Sequence, residues 1–230
     1  MCNHYASSGE WRTKMGVFRE AGILPDFDWN APRVNVQSDD VYPTSVGEIL
    51  TPSDDGRLVA ASASWLFMPW KPGLTWAEWC KTRRGCNNAR GEEADTKWPF
   101  GPAAKRGRCL IPGEAFFEWN DDPPKAKDGS GGKTEYRFAY PDGRAFFFAG
   151  LCNRVEPPDS GPMLTYTMIT KAAGGDTASI GHPRQPVILT ADDAAAWLDP
   201  ERPIKSFTEQ LDPAGTFALK AVKGPKAVAA

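Results

Sequence analysis

Apolar runs in this chain are short, and nearly all of them stop at a turn-forming residue. Tyr136–Tyr140 and Arg144–Gly150 are separated only by Pro141-Asp142-Gly143, where Pro fixes φ and Gly supplies a positive φ. Glu48–Leu50 and Arg57–Phe67 are split in the same way by Pro52-Ser53-Asp54-Asp55-Gly56. Both pairs read as β-hairpins. Cys109–Pro112, Ala115–Trp119, Leu164–Ile169 and Pro186–Leu189 read as further short strands. With 22 glycines and 21 prolines among 230 residues, short elements and turns are favoured over long helices. Helices are expected at Ala191–Leu198, where Thr190 precedes and Asp193 is placed for a capping box, near Ile204–Leu211 behind Pro203, and at Trp76–Trp79. The polar stretch 120–133, with Pro123-Pro124 and Gly129–Gly132, reads as a loop. The fold class expected is α+β, predominantly β, as one domain over residues 2–220 with a tail at 221–230.

No stretch comes near the ~20 consecutive apolar residues of a membrane span. The opening Met-Cys-Asn-His-Tyr has neither the basic start nor the apolar stretch of an export signal, so a cytoplasmic protein is expected. Five cysteines, at 2, 80, 86, 109 and 152, then read as reduced thiols. Cys80 and Cys86 are spaced more widely than a zinc C-x₂₋₄-C and no paired histidines follow, so neither a metal nor another cofactor is expected. Cys109 and Cys152 lie in apolar runs and read as buried, inert thiols. Cys2 differs in following the initiator Met, and it is small enough for that Met to be removed.

A net charge of −2 argues against nucleic acid bound over the whole surface, although it leaves room for a local site. Between Lys81 and Arg108 eight basic residues face three acids, a local +5 that leaves −7 on the remainder. Trp98 and Phe100 lie inside this segment, and Trp65, Trp70, Trp76 and Trp79 lie just before it. Cations interleaved with rings suit single-stranded nucleic acid; a solvated face and a tryptophan-rich core are the competing reading.

Four segments carry chemistry together: Cys2, Asn88-Ala-Arg-Gly-Glu92, Arg108-Cys-Leu-Ile-Pro-Gly-Glu-Ala-Phe-Phe-Glu-Trp119 and Ile180-Gly-His-Pro-Arg-Gln-Pro-Val-Ile-Leu189. Their order and spacing resemble those of the SRAP family, named for SOS response-associated peptidases. The resemblance implies a compact domain with a curved, barrel-like antiparallel sheet core and a few peripheral helices. It also implies covalent capture of abasic sites in single-stranded DNA, with Cys2 as nucleophile and Asn88, Glu118 and His182 around it. Arg90 and Arg184 would meet phosphate, with Trp70, His4, Arg83 and Arg84 as further DNA contacts and Thr170 and Asp40 in support. A monomer is expected.

The residue types suit that chemistry. Once Met1 is gone, Cys2 presents an α-amine of reference pKa near 7.7–8.0 beside a thiol near 8.5. The amine can form a Schiff base with the aldehyde of an open abasic sugar, and the thiol can close a thiazolidine on the imine carbon. Glu118, between Phe117 and Trp119, is placed for a raised pKa and proton transfer, although alternation also allows an exposed strand position. His182 in a turn-like Gly-His-Pro-Arg can polarise the sugar oxygen, and Asn88 can hold the amine. Family members usually continue Met-Cys-Gly-Arg, where Asn3 and His4 stand here, and Asp40 stands where Asn is usual. At neutral pH a mostly uncharged His4 is a poorer phosphate clamp than arginine. Two other readings stay open: a cysteine peptidase or amidohydrolase using Cys2, and a non-catalytic single-strand binder.

Overall fold

A computed structural model describes residues 2–36, 38–68, 73–82, 86–120, 132–209, 212 and 214–223. Among the described residues thirteen strands run in chain order: β1 (Tyr5–Ala6), β2 (Asp40–Val41), β3 (Val46–Pro52), β4 (Leu58–Ser64), β5 (Asn88–Arg90), β6 (Arg108–Gly113) and β7 (Ala115–Trp119), then β8 (Glu135–Ala139), β9 (Phe146–Val155), β10 (Met163–Ala172), β11 (Arg184–Pro186), β12 (Ile188–Leu189) and β13 (Ala218–Lys223). Short helices lie between them: α1 (Trp11–Lys14), α2 (Gly16–Glu20), α3 (Trp76–Thr82), α4 (Gly101–Arg106), α5 (Gly175–Ser179) and α6 (Ala191–Leu198), with a 3₁₀ turn at Ile204–Phe207. The mostly-sheet α+β class expected from the short apolar runs is what forms.

One sheet has the order β13-β8-β7-β1-β2; the other runs β11-β10-β4-β3-β6-β9-β12, with β5 added beside β10. The hairpin β3–β4 forms as read, with Val46 opposite Ser64 and Pro52 opposite Leu58. The second expected hairpin does not. Its turn is present, with Gly143 at φ 72° and its N–H donating to Tyr140 O at 3.0 Å. The chain nevertheless leaves the first sheet after β8 and enters the second at β9. The core sheet, expected to be curved, barrel-like and antiparallel, is only partly antiparallel. β9 and β10 pair and fold the larger sheet back on itself, but β10 runs parallel to both β4 and β5. Leu50 lies opposite Leu110 where β3 meets β6, and the sheet is curved without being a true barrel.

The Phe146-Phe147-Phe148 run explains this path. Phe147 packs with Trp11, Phe18 and Leu50, whereas Phe146 and Phe148 pack with Tyr5, Phe116 and Phe138. Side chains alternate between faces, so a strand apolar on both sides must be covered on both sides. The second of these cores also holds Cys2, Trp65, Tyr166 and Met168. Gly47 touches it closely, because a Cβ there would stand 2.5 Å from both the Tyr5 and Tyr166 hydroxyls. Those two hydroxyls hydrogen-bond each other at 2.5 Å.

At the first helical turn of α6, the Asp193 N–H donates to Thr190 Oγ1 at 3.2 Å, and Thr190 Oγ1 donates to the Asp193 carboxylate at 2.7 Å. The strand β13 reaches Lys223, inside the stretch expected as a tail, while 224–230 lie outside the described residues. So do 121–131 of the expected loop. Cys109 and Cys152 are buried thiols, as read. Among the described residues, no helix is long and apolar enough to cross a membrane, and no cluster of His, Cys, Asp or Glu is arranged to hold a metal ion.

Candidate active site

Three backbone segments bring their side chains to Cys2. Two short strands of different sheets, β5 and β7, supply Asn88 and Glu118, and the turn between α5 and β11 supplies His182. Gly181, at φ 76°, makes the reversal that swings His182 inward, a conformation glycine adopts without steric cost. Asn88 lies opposite Met168 in the parallel β5–β10 pairing and is buried.

Cys2 is fully buried, and its thiol donates to the carbonyl of His4 at 3.4 Å. Its own carbonyl accepts from Asn88 Nδ2 at 2.7 Å and from Asn87 Nδ2 at 3.3 Å. Asn87 also donates to the Asn3 side chain at 2.8 Å, while its carbonyl accepts from Trp65 Nε1 at 2.7 Å. Asn87 was not singled out from the sequence. Its only signal is the Asn87-Asn88 doublet, and it lies just before β5, where strand alternation does not force the two amides apart. Asn88 Oδ1 is buried and has no hydrogen-bond partner among the described residues.

Glu118 is 2% exposed, so the buried alternative is the one that forms. It shares the inward face of β7 with Phe116, which stacks on Phe138. Burial pushes its carboxyl up to about 8, so it is mostly protonated at neutral pH. Its Oε2 lies 3.2 Å from His182 Nε2. His182 Nδ1 lies 2.6 Å from the Arg184 carbonyl, which can only accept a proton. A neutral imidazole donating there leaves Nε2 as an acceptor, matching the protonated Glu118 as donor. At neutral pH the raised Glu118 carboxyl is a source of one transferable proton beside His182. Burial first, and the Glu118 charge second, push the Cys2 thiol up.

Arg184 serves this site twice. Its carbonyl orients His182, and its guanidinium forks onto Glu92 at 2.7 and 2.9 Å while also donating to Thr170 O at 2.7 Å. Arg184 thereby holds the Glu92 carboxyl below its usual range. Arg90 is exposed. His4 is not an open cation. Its ring is sandwiched between Phe117 and Tyr42, at 3.7 and 4.3 Å, with Nε2 2.9 Å from Asp40 Oδ1 and Nδ1 3.4 Å from Glu135 Oε1. Two of the departures from the family pattern, His4 and Asp40, are therefore each other's partners. His4, Tyr42, Phe117 and Glu135, together with Asn3, Trp119 and Glu118, line a cleft of about 270 Å³. Trp70, Arg83 and Arg84 lie outside the described residues.

Known proteins resemble this chain along most of its length. The chain is 28% identical over 211 residues to the abasic site processing protein YoqW of Bacillus subtilis, covering 92% of this chain and 86% of that one. It is also 28% identical over 208 residues to the abasic site processing protein HMCES of Gallus gallus, covering 78% of this chain and 59% of that one. A crystal structure of a Bordetella bronchiseptica protein superposes with a TM-score of 0.72 at 23% identity, covering 96% of this chain and all of that one. One from Bacteroides thetaiotaomicron gives 0.71 at 20%, covering 96% and 92%. At those identities the likeness is one of fold. The model of the SOS response associated peptidase family, SRAP, matches residues 1–230, and the chain belongs to that family.

Proposed function

We propose that this chain captures abasic sites in single-stranded DNA covalently, through the amine and thiol of Cys2. The observation that carries the proposal is the meeting of Cys2, Asn88, Glu118 and His182 in one buried pocket, with a carboxyl raised to about 8 beside the thiol. The names borne by the relatives, abasic site processing proteins, point the same way.

After loss of Met1, the Cys2 amine adds to the sugar aldehyde to give a carbinolamine. Glu118 gives its proton to the departing hydroxyl, and water leaves as the imine forms. The thiol then adds to the imine carbon. Its proton passes to the ring nitrogen, Glu118 serving as relay, and the net reaction is aldehyde plus aminothiol giving thiazolidine plus water. His182 holds the carboxyl in place and shares its proton. Asn88 fixes the Cys2 carbonyl, and its remaining buried oxygen is an acceptor for the new amine. A thiol kept protonated by burial suits a late ring closure better than the opening attack of a cysteine peptidase, which needs a thiolate. Exposed Arg90 meets phosphate directly, whereas Arg184 meets it by sharing its guanidinium with Glu92.

Incubating the protein with an abasic single-stranded oligonucleotide tests the proposal. An adduct stable to denaturant is expected from the native chain and none from Cys2→Ala. Equal adduct from both would reject it.

A further inference from the structure

Among its described residues, the +5 segment spends part of its charge inside the fold. Arg108 is buried and donates to the carbonyls of Ala104, Trp197, Asp199 and Arg202, and Lys97 pairs with Glu93. Phe100 packs inward against Phe67. Among the segment's described residues that stay exposed are Trp98, at 68%, and Arg106. Both line a cleft of about 470 Å³ that also includes Pro99 and, from β9, Arg154. Its floor is apolar, formed by buried Phe67 and Cys152. No acidic residue lines it, Arg106 and Arg154 are exposed and form no ion pair among the described residues, and Trp98 stacks on no other described ring. A large exposed ring flanked by two uncompensated guanidinium groups has the composition of a site for a flat ring carrying a negative charge.

The cleft is separate from the Cys2 pocket. Its wall residue Asn153 pairs with Thr165 of β10, and Asn88 pairs with Met168, about 10 Å further along that strand. We infer that this cleft holds one nucleotide of a single DNA strand, its base against Trp98 and its phosphate between Arg106 and Arg154. The choice of a DNA strand rests on the proposed function; the ring-and-guanidinium chemistry of the cleft does not.

The test uses the full chain carrying Cys2→Ala, which leaves only non-covalent binding, and an undamaged fluorescent oligo-dT strand. Trp98→Ala is expected to weaken binding about tenfold, the contribution of one stacked base. Arg106→Ala with Arg154→Ala is expected to weaken it as well and to flatten the slope of log K on log salt by about 0.7 for each phosphate that is no longer neutralised. A strand bearing 5-iododeoxyuridine is expected to photocrosslink to Trp98. Unchanged affinity in both variants, with crosslinks confined to the Cys2 pocket, would overturn the inference. Competition by dTMP as strong as that by the strand would also overturn it, reassigning the cleft to free nucleotides. Failure of the proposed function reads differently, as no adduct from the native chain on an abasic strand.

Discussion

The Cys2 pocket and the Trp98 cleft use opposite physics. In the pocket Cys2, Asn88, Glu118 and His182 are all buried, and burial changes what a side chain is, lifting a carboxyl to about 8. In the cleft the guanidinium groups and the indole face water, where charge is screened. The first arrangement suits proton transfer to a reacting atom and the second suits holding a strand. The difference teaches that charge counts alone misplace function in this chain. Its most basic segment lends one arginine, Arg108, to structure, and a carboxylate, Glu135, lines the cleft at the reactive residues.

The comparison breaks most readily at Glu118. Glu118→Gln keeps the shape but not the transferable proton, and adduct formation is expected to slow by about 10²–10⁴-fold in a single-turnover assay. The native rate is expected to fall as pH rises through about 8, as the proton donor ionises. Stability follows the same sign. The folded carboxyl sits at about 8 against an ordinary 4.5, so the folded state binds the extra proton, and stability falls as pH rises from about 4.5 to about 8. Glu118→Gln is expected to remove that fall in urea titrations across the range.

Gly47→Ala comes next. The added Cβ would stand 2.5 Å from two tyrosine hydroxyls under the pocket, and overpacking of this kind costs about 1–3 kcal/mol. Denaturant unfolding should show that loss, with adduct formation lowered and binding at the Trp98 cleft kept. Asn87→Ala removes donors to Cys2 O and Asn3 while Asn88 still holds Cys2, so about 1 kcal/mol of stability and a modest slowing of capture are expected. Asp40→Asn should matter least. Its side chain is 55% exposed, and a surface pair with His4 contributes about 0–1 kcal/mol.

Strands were legible because apolar runs closed by Gly or Pro leave few other choices, and β3, β4, β6, β7 and β10 lie where those runs lie. Their partners were not. Pro141-Asp142-Gly143 makes the same turn whether the next strand folds back or crosses to another sheet, and the both-sided apolarity of Phe146–Phe148 decided for crossing. The short helices α1, α2, α4 and α5 have too few turns to show a period. Of the pocket, Glu118 was ambiguous by alternation alone, and only its motif with His182 singled it out. Asn87 acts through a backbone carbonyl, and the His4–Asp40 contact joins residues 36 apart, so neither leaves a local pattern.

Mass spectrometry of the adduct tests the central claim most directly. The abasic strand is crosslinked, digested and mapped after alkylation of free thiols. The expected product is a peptide beginning at Cys2, without Met1, carrying the sugar remnant with loss of one water and a sulfur that resists alkylation. An adduct on a lysine, or on Cys2 with its thiol still open to alkylation, would contradict it.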